Sequence, residues 1–201
     1  MKRILPLFSY IFHPVLMPVF GLLVYFLFNS SQITAPETKW LFIQTIVITV
    51  LMPMGSIYFL ISLKKVDSLM IPNLNQRKIP LILQCFFLIL FVIQTKIKGV
   101  YPELYFFFWG SILSISIAFL LTFFKIKASL HMIGITALTT FSIVLSFLSE
   151  INFYYAALFF ILSNSLVALS RLIMKAHTVK ELIIGGITGL IPQLIAAYFL
   201  L

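Results

Sequence analysis

Charge is what this chain has least of. Asp, Glu, Lys and Arg together make up 9% of the 201 residues, and only five residues are acidic. Hydrophobic residues make up 62% and the mean hydropathy is +1.14, whereas a soluble domain is roughly half apolar. An ordinary water-soluble fold is thereby excluded. Cysteine is nearly absent too. Cys85 stands alone inside an apolar run, so there is no disulfide framework and no basis for inferring a redox compartment. A phosphate-binding glycine loop, a dinucleotide fingerprint and a carboxylate-rich loop able to share a metal with histidine are all missing. No metal and no cofactor is expected.

What the chain does have is apolar runs of bilayer length. A spanning helix needs about 20 mostly apolar residues. Seven candidates stand out, at 5–28, 39–63, 79–95, 103–124, 130–148, 153–172 and 181–201. They predict an all-α fold, a polytopic transmembrane bundle of six to seven helices forming one domain over 1–201. The first run is long and lacks a small-residue cleavage site, so it reads as a retained helix rather than a signal peptide. The breaks are short. Asn29 to Thr38 is turn-rich, Gly99-Val100-Tyr101-Pro102 is a tight connection, and Ser149 to Asn152 barely separates two helices. Only Lys64 to Lys78 has room for structure of its own. The run at 79–95 is short enough that it need not cross fully. Gly185, Gly186 and Gly189 supply small-residue helix packing, and the 22 phenylalanines fill the core or face lipid.

The net charge of +9 falls at alternate breaks. Lys2, Arg3, Lys64, Lys65, Arg77, Lys78, Lys125, Lys127, Arg171, Lys175 and Lys180 share one side, against Lys39, Lys96 and Lys98 on the other. The positive-inside rule then puts the N-terminus and all three basic breaks in the cytoplasm, as in a bacterial inner membrane. Basic loops meeting anionic headgroups account for this charge. Membrane lipids are the expected partners, and nucleic acid is not.

One polar segment sits between two of these apolar runs. It extends from Ser170-Arg171 through His177 to Glu181. Ionisable residues in such a place are a functional-site hypothesis by default. His177 and Glu181 are four apart, so on a helix they share a face, and the carboxylate can fix the imidazole tautomer. Arg171 offers a planar fork suited to phosphate oxygens. Upstream, Ser129 and backbone N–H groups at a helix start offer anion donors, and His131 can protonate a departing oxygen. A nucleophilic histidine, an acidic histidine and basic clamps suit phosphoryl transfer through a phosphohistidine. The plainer reading of the same segment is a hydrated helix end with snorkelling side chains. His13 lies well inside the first run beside Pro14 and Pro18. Its ring either lines a cavity or, more simply, bonds a backbone carbonyl freed by the kink.

Ser170-Arg171, five residues, His177, three residues and an acid, then Gly185, resembles the third signature of the type 2 phosphatidic acid phosphatase superfamily, Ser-Arg-x5-His-x3-Asp. Ala128-Ser129-Leu130-His131 is similar to its second, Pro-Ser-Gly-His. Asn75-Gln76-Arg77-Lys78-Ile79-Pro80 is a weaker echo of the first, Lys-x6-Arg-Pro. The three come in order between about residues 70 and 190. The resemblance implies a PAP2-like helix bundle and an integral membrane lipid phosphatase that works without metal. Its substrate would be a lipid phosphate, either a phospholipid phosphomonoester or a polyprenyl (pyro)phosphate. It implies His177 as nucleophile, Glu181 as the acid that orients it, and His131 as general acid. Arg171, Arg77, Ser129, Lys127 and Ser170 would bind the phosphate. The chain departs from the pattern with Met70 in place of the lysine, Leu130 in place of glycine and Glu181 in place of aspartate. Lys127, or Lys78 from the cavity side, would have to replace the lost cation. These departures carry a second reading, a non-catalytic member that binds anionic lipid or a partner protein.

Overall fold

Proline sets where the helices break in the first part of the chain. A computed structural model describes residues 5–28, 36–95, 97–148 and 154–200. Helix α1 (Leu5–Ile11) stops before His13-Pro14, a 3-10 turn covers Pro14–Leu16, and α2 (Met17–Phe28) follows. The two arms are bent by 44°. A proline lacks an amide donor and crowds the preceding turn, so the bend falls there. The next span joins α3 (Pro36–Thr45), a π-helical turn (Ile46–Leu51) and α4 (Met52–Ser62). Pro53 has no amide to give the carbonyl four residues back, and the wider turn sits just before it.

The remaining helices are α5 (Lys78–Gln94), α6 (Ile97–Val100), α7 (Pro102–Phe123), α8 (Leu130–Leu148), α9 (Tyr154–Ile173) and α10 (Val179–Leu200). No strand occurs among the described residues. Six helical runs there are long and apolar enough to cross a membrane, and the bent α1–α2 pair makes a seventh if it counts as one span. The protein is an integral membrane helix bundle.

Two expectations change. The third span is longer than its apolar run because Asn73 caps a 3-10 turn, Leu74–Arg77, by accepting from the Asn75 N–H at 3.1 Å. That turn leads directly into α5, and Leu74–Gln94 reaches crossing length. The tight connection at 99–102 contains part of α6, held down by the buried Ile97. The turn-rich break expected from Asn29 to Thr38 already belongs to α3 from Pro36 on; its first part, 29–35, the break expected from Ser149 to Asn152 and the basic residues Lys2, Arg3 and Lys96 lie outside the described residues.

The interior is an aromatic seam. Phe107 packs on Phe141 at 4.6 Å between ring centroids, and Phe91 on Phe108 at the same distance. Helix α10 lies against both α7 and α8. A Cβ on Gly189 would come within 2.4 Å of Ile133 O, and one on Gly185 within 2.6 Å of Ser129 O. Only hydrogen fits there, so α10 and α8 meet backbone to backbone along a small-xxx-small stripe. That contact draws the first turns of both helices together.

Three helix ends on the same face of the bundle share one closure. Lys64, Lys125 and Lys175 have φ of 56°, 57° and 51°. The following N–H groups of Lys65, Ile126 and Ala176 reach back to Leu60 O, Leu121 O and Arg171 O. Each is a left-handed cap of the kind glycine usually fills. Lysine there adds a cation at the negative end of the helix dipole.

Gly189→Ala should lower the melting temperature of the detergent-solubilised protein, at a cost of about 1–3 kcal/mol from overpacking. Gly186, whose Cβ would meet nothing closer than 3.9 Å, should accept alanine without loss. Near-ultraviolet circular dichroism on heating checks both.

Candidate active site

Backbone groups join the three breaks. Arg77 closes its 3-10 turn by donating Nε–H to Ile71 O at 3.0 Å and Nη1–H to Ala128 O at 2.8 Å. The adjacent Ser129 N–H donates to Glu181 O at 3.1 Å. Lys127 Nζ donates to Ala176 O at 3.2 Å. The first span is attached as well. Ser9 Oγ and Ser170 Oγ lie 2.6 Å apart, and Ser9 O is 3.0 Å from His131 Nε2. A carbonyl only accepts, so His131 Nε2 carries a proton.

His177 is held by the start of α10. Thr178 and Glu181 form a capping box, with the Thr178 Oγ1 accepting from Glu181 N–H and Glu181 Oε2 accepting from Thr178 N–H, both at 3.3 Å. The same Oε2 lies 2.7 Å from His177 Nδ1 and 3.9 Å from Lys127 Nζ. The carboxylate holds the proton on Nδ1, which leaves Nε2 with a free lone pair. Burial pushes the His177 pKa down to about 4 against the opposing Glu181 bond, and Arg77, Arg171 and Lys127 add to the drop. The ring is therefore neutral near pH 7.

His177 lines a cavity of about 1060 Å³, open mouth included, together with Arg77, Arg171, His131 and His13. The rest of the wall is largely apolar and follows α8 from His131 to Ala137, roughly 9 Å along the helix. Arg77 and Arg171 are 4% exposed, His131 5% and His177 8%. Charges buried to this degree need partners. Arg77 has two carbonyls. Arg171 has almost nothing, since its Nε is unpartnered and Nη1 reaches only Met174 Sδ at 4.0 Å. An anion in the cavity would meet an unsatisfied guanidinium.

Of the residues singled out from sequence, His177, His131, Arg171, Arg77 and His13 share this cavity, with Glu181 behind His177. Others turn elsewhere. Ser129 Oγ accepts from Met132 N–H at 3.4 Å and caps α8, so the hydroxyl serves its own helix. Ser170 is bonded to Ser9 and Met174. Lys78 Nζ sits 4.5 Å over the Phe123 ring, outside the cavity wall, where a cation–π contact satisfies it. Lys127 braces the 174–178 turn. Met70, at the position of the signature lysine, does line the cavity.

His13 departs from its simpler reading. Because Pro14 begins a 3-10 turn, the group left without a partner is the Val15 amide rather than a carbonyl, and His13 Nδ1 accepts it at 3.4 Å. Ser9 and the Thr178–Glu181 capping box were not among the residues singled out from sequence. The first was marked by Ser9 and His13 standing four apart in an apolar run, the second by Thr-x-x-Glu opening another. Among the described residues no group of three or more His, Cys, Asp or Glu is placed to hold a metal ion. No protein-family model matches the chain, and neither a curated protein nor a solved structure matches it.

The folded His177 binds its proton less tightly than a free ring with its ordinary value of 6.5. Between about 4 and 6.5 the unfolded chain binds more protons, so stability falls as pH drops through that window. Melting curves from pH 7 to 4 should show wild type losing more stability than His177→Gln. Equal slopes would contradict a buried neutral ring.

Proposed function

We propose that this protein is an integral membrane lipid phosphatase, acting on a phospholipid phosphomonoester or a polyprenyl (pyro)phosphate through phospho-His177. The observation that carries the reading is the His177–Glu181 pair at 2.7 Å, its free Nε2 in a cavity shared with the under-satisfied Arg171. The resemblance of the three polar segments to the phosphatase signatures supports it. So does the shape of the cavity, cationic beside His177 and apolar along α8, which suits an amphiphile with a charged head.

In the forward step His177 Nε2 attacks phosphorus, a P–N bond forms and the P–O bond to the lipid breaks. His131 gives a proton to the departing oxygen. Its Nε2–H already belongs to Ser9 O, so the transferred proton is the one on Nδ1 of the imidazolium. Water then attacks phosphorus, the P–N bond breaks, His131 Nδ1 takes the water proton, and inorganic phosphate leaves. Arg171 and Arg77 stabilise the oxygens that gain charge. Two guanidiniums supply this without calling on a metal.

A second reading is favoured by one observation. Met70 lines the cavity where the signature has a cation, and Arg77 is partly committed to backbone carbonyls. The site would then bind an anionic lipid without cleaving it.

The test is phosphate release, with chelator present, from phosphatidic acid, phosphatidylglycerophosphate and undecaprenyl pyrophosphate. Wild type should release phosphate from at least one. His177→Ala should abolish release, and His131→Ala should slow it by about 10²- to 10⁴-fold, the range of a lost general acid. Wild-type protein that binds these lipids and cleaves none establishes the second reading.

A further inference from the structure

The cavity wall holds five side chains that can carry positive charge, and none is a lysine. Arg77, Arg171, His131 and His177 come from the three polar breaks. The fifth, His13, comes from the first span and has no part in the chemistry above. Four observations on this residue point the same way.

His13 lies where the first span is broken, between α1 and the 3-10 turn, with extended backbone angles of φ −67° and ψ 137°. It thus caps the turn, its carbonyl accepting the Leu16 N–H at 2.8 Å, and its side chain reaches the cavity wall. Its ring packs edge-on against His131, with centroids 5.3 Å apart, so a group in contact with His131 is within reach of His13. Its tautomer is fixed. Nδ1 accepts the Val15 N–H, so in the neutral ring the proton is on Nε2. Finally, apart from Arg171 the cations at and around the cavity are already engaged. Arg77 gives two N–H groups to carbonyls, Lys127 gives its ammonium to Ala176 O, and Lys78 rests on Phe123.

We propose that His13 is a third anion donor of this site, giving its Nε2–H to a phosphate oxygen held by Arg171 and Arg77. The proposal rests on the reading of the cavity as a site for a phosphate group. It assigns the break in the first span a purpose. Without the bend at Pro14, the ring would remain on the helix face and the oxygens would meet only the arginines. The ligand can be inorganic phosphate or the head of a lipid phosphate, since the donor geometry is common to both.

His13→Asn separates this role from a structural one. Asparagine is a good cap and keeps an acceptor for the Val15 amide, but it is too short to replace Nε2. Binding of inorganic phosphate to the purified full-length protein, and of phosphatidic acid in mixed micelles, should both weaken by about tenfold or more, the loss of a hydrogen bond to a charged group. The melting temperature without ligand should stay at the wild-type value. A loss with phosphatidic acid alone would mean that the donor serves a lipid head, and would support the proposal for that source. Unchanged affinity for both overturns it and leaves the phosphatase reading intact. A test on wild-type protein needs no variant: inorganic phosphate should slow carbethoxylation of His13 by diethylpyrocarbonate, mapped by peptide mass. Absence of protection in a protein that binds phosphate overturns the proposal. If wild type binds neither ligand, the phosphate-site reading fails and the proposal with it.

Discussion

The joint at Ala128-Ser129 is the contact on which the polar face depends. One carbonyl there takes the Arg77 guanidinium at 2.8 Å, and the next amide gives its hydrogen to Glu181 O at 3.1 Å. Two consecutive residues thus tie the loop before α5 and the start of α10 to the start of α8. Hydrogen bonds are stronger in a low-dielectric setting, and an unmade one there is correspondingly costly. The glycine contacts of α10 with α8 bring the same two helix starts together from the apolar side. Position of the chemistry and closure of the bundle are therefore one problem, solved by the same few atoms.

Glu181 shows the economy of that solution. It closes the first turn of α10, fixes the proton of His177 and faces Lys127. A carboxylate at a helix start is favoured by the helix dipole regardless of any reaction. The histidine therefore gains its orienting partner from a residue the helix already needs. Ile71 is similar in kind. It sits at φ 40°, unfavourable for a β-branched side chain, and its carbonyl is held by Arg77 Nε while its side chain packs with Ile57, Leu60 and Val66. This bracing holds the loop that presents Met70 to the cavity.

The spans were legible because bilayer thickness demands a length of apolar chain that nothing else in the sequence imitates. Their ends were less so. The start of the third span depends on Asn73 capping a turn of polar residues, a local hydrogen bond that hydropathy does not register. His177 with Glu181 was legible because four-residue spacing on a helix decides contact. Ser129, Ser170 and Lys78 were not, because each has a rival partner close by: a helix amide, a serine on another helix, an aromatic ring. His13 was the hardest. Its place beside His131 depends on a 44° bend and on helices far apart in sequence.

The proposed phosphatase reaction depends on His177 Nε2 as a nucleophile toward phosphorus. Its most direct test is to mix purified protein with a lipid phosphate, quench at alkaline pH within the first turnover and map phosphopeptides by mass. The expected result is an acid-labile, base-stable phosphoryl group on the peptide that contains His177 and on no other. A protein that turns over its lipid phosphate while phosphorylated on another residue, or on none, would contradict it.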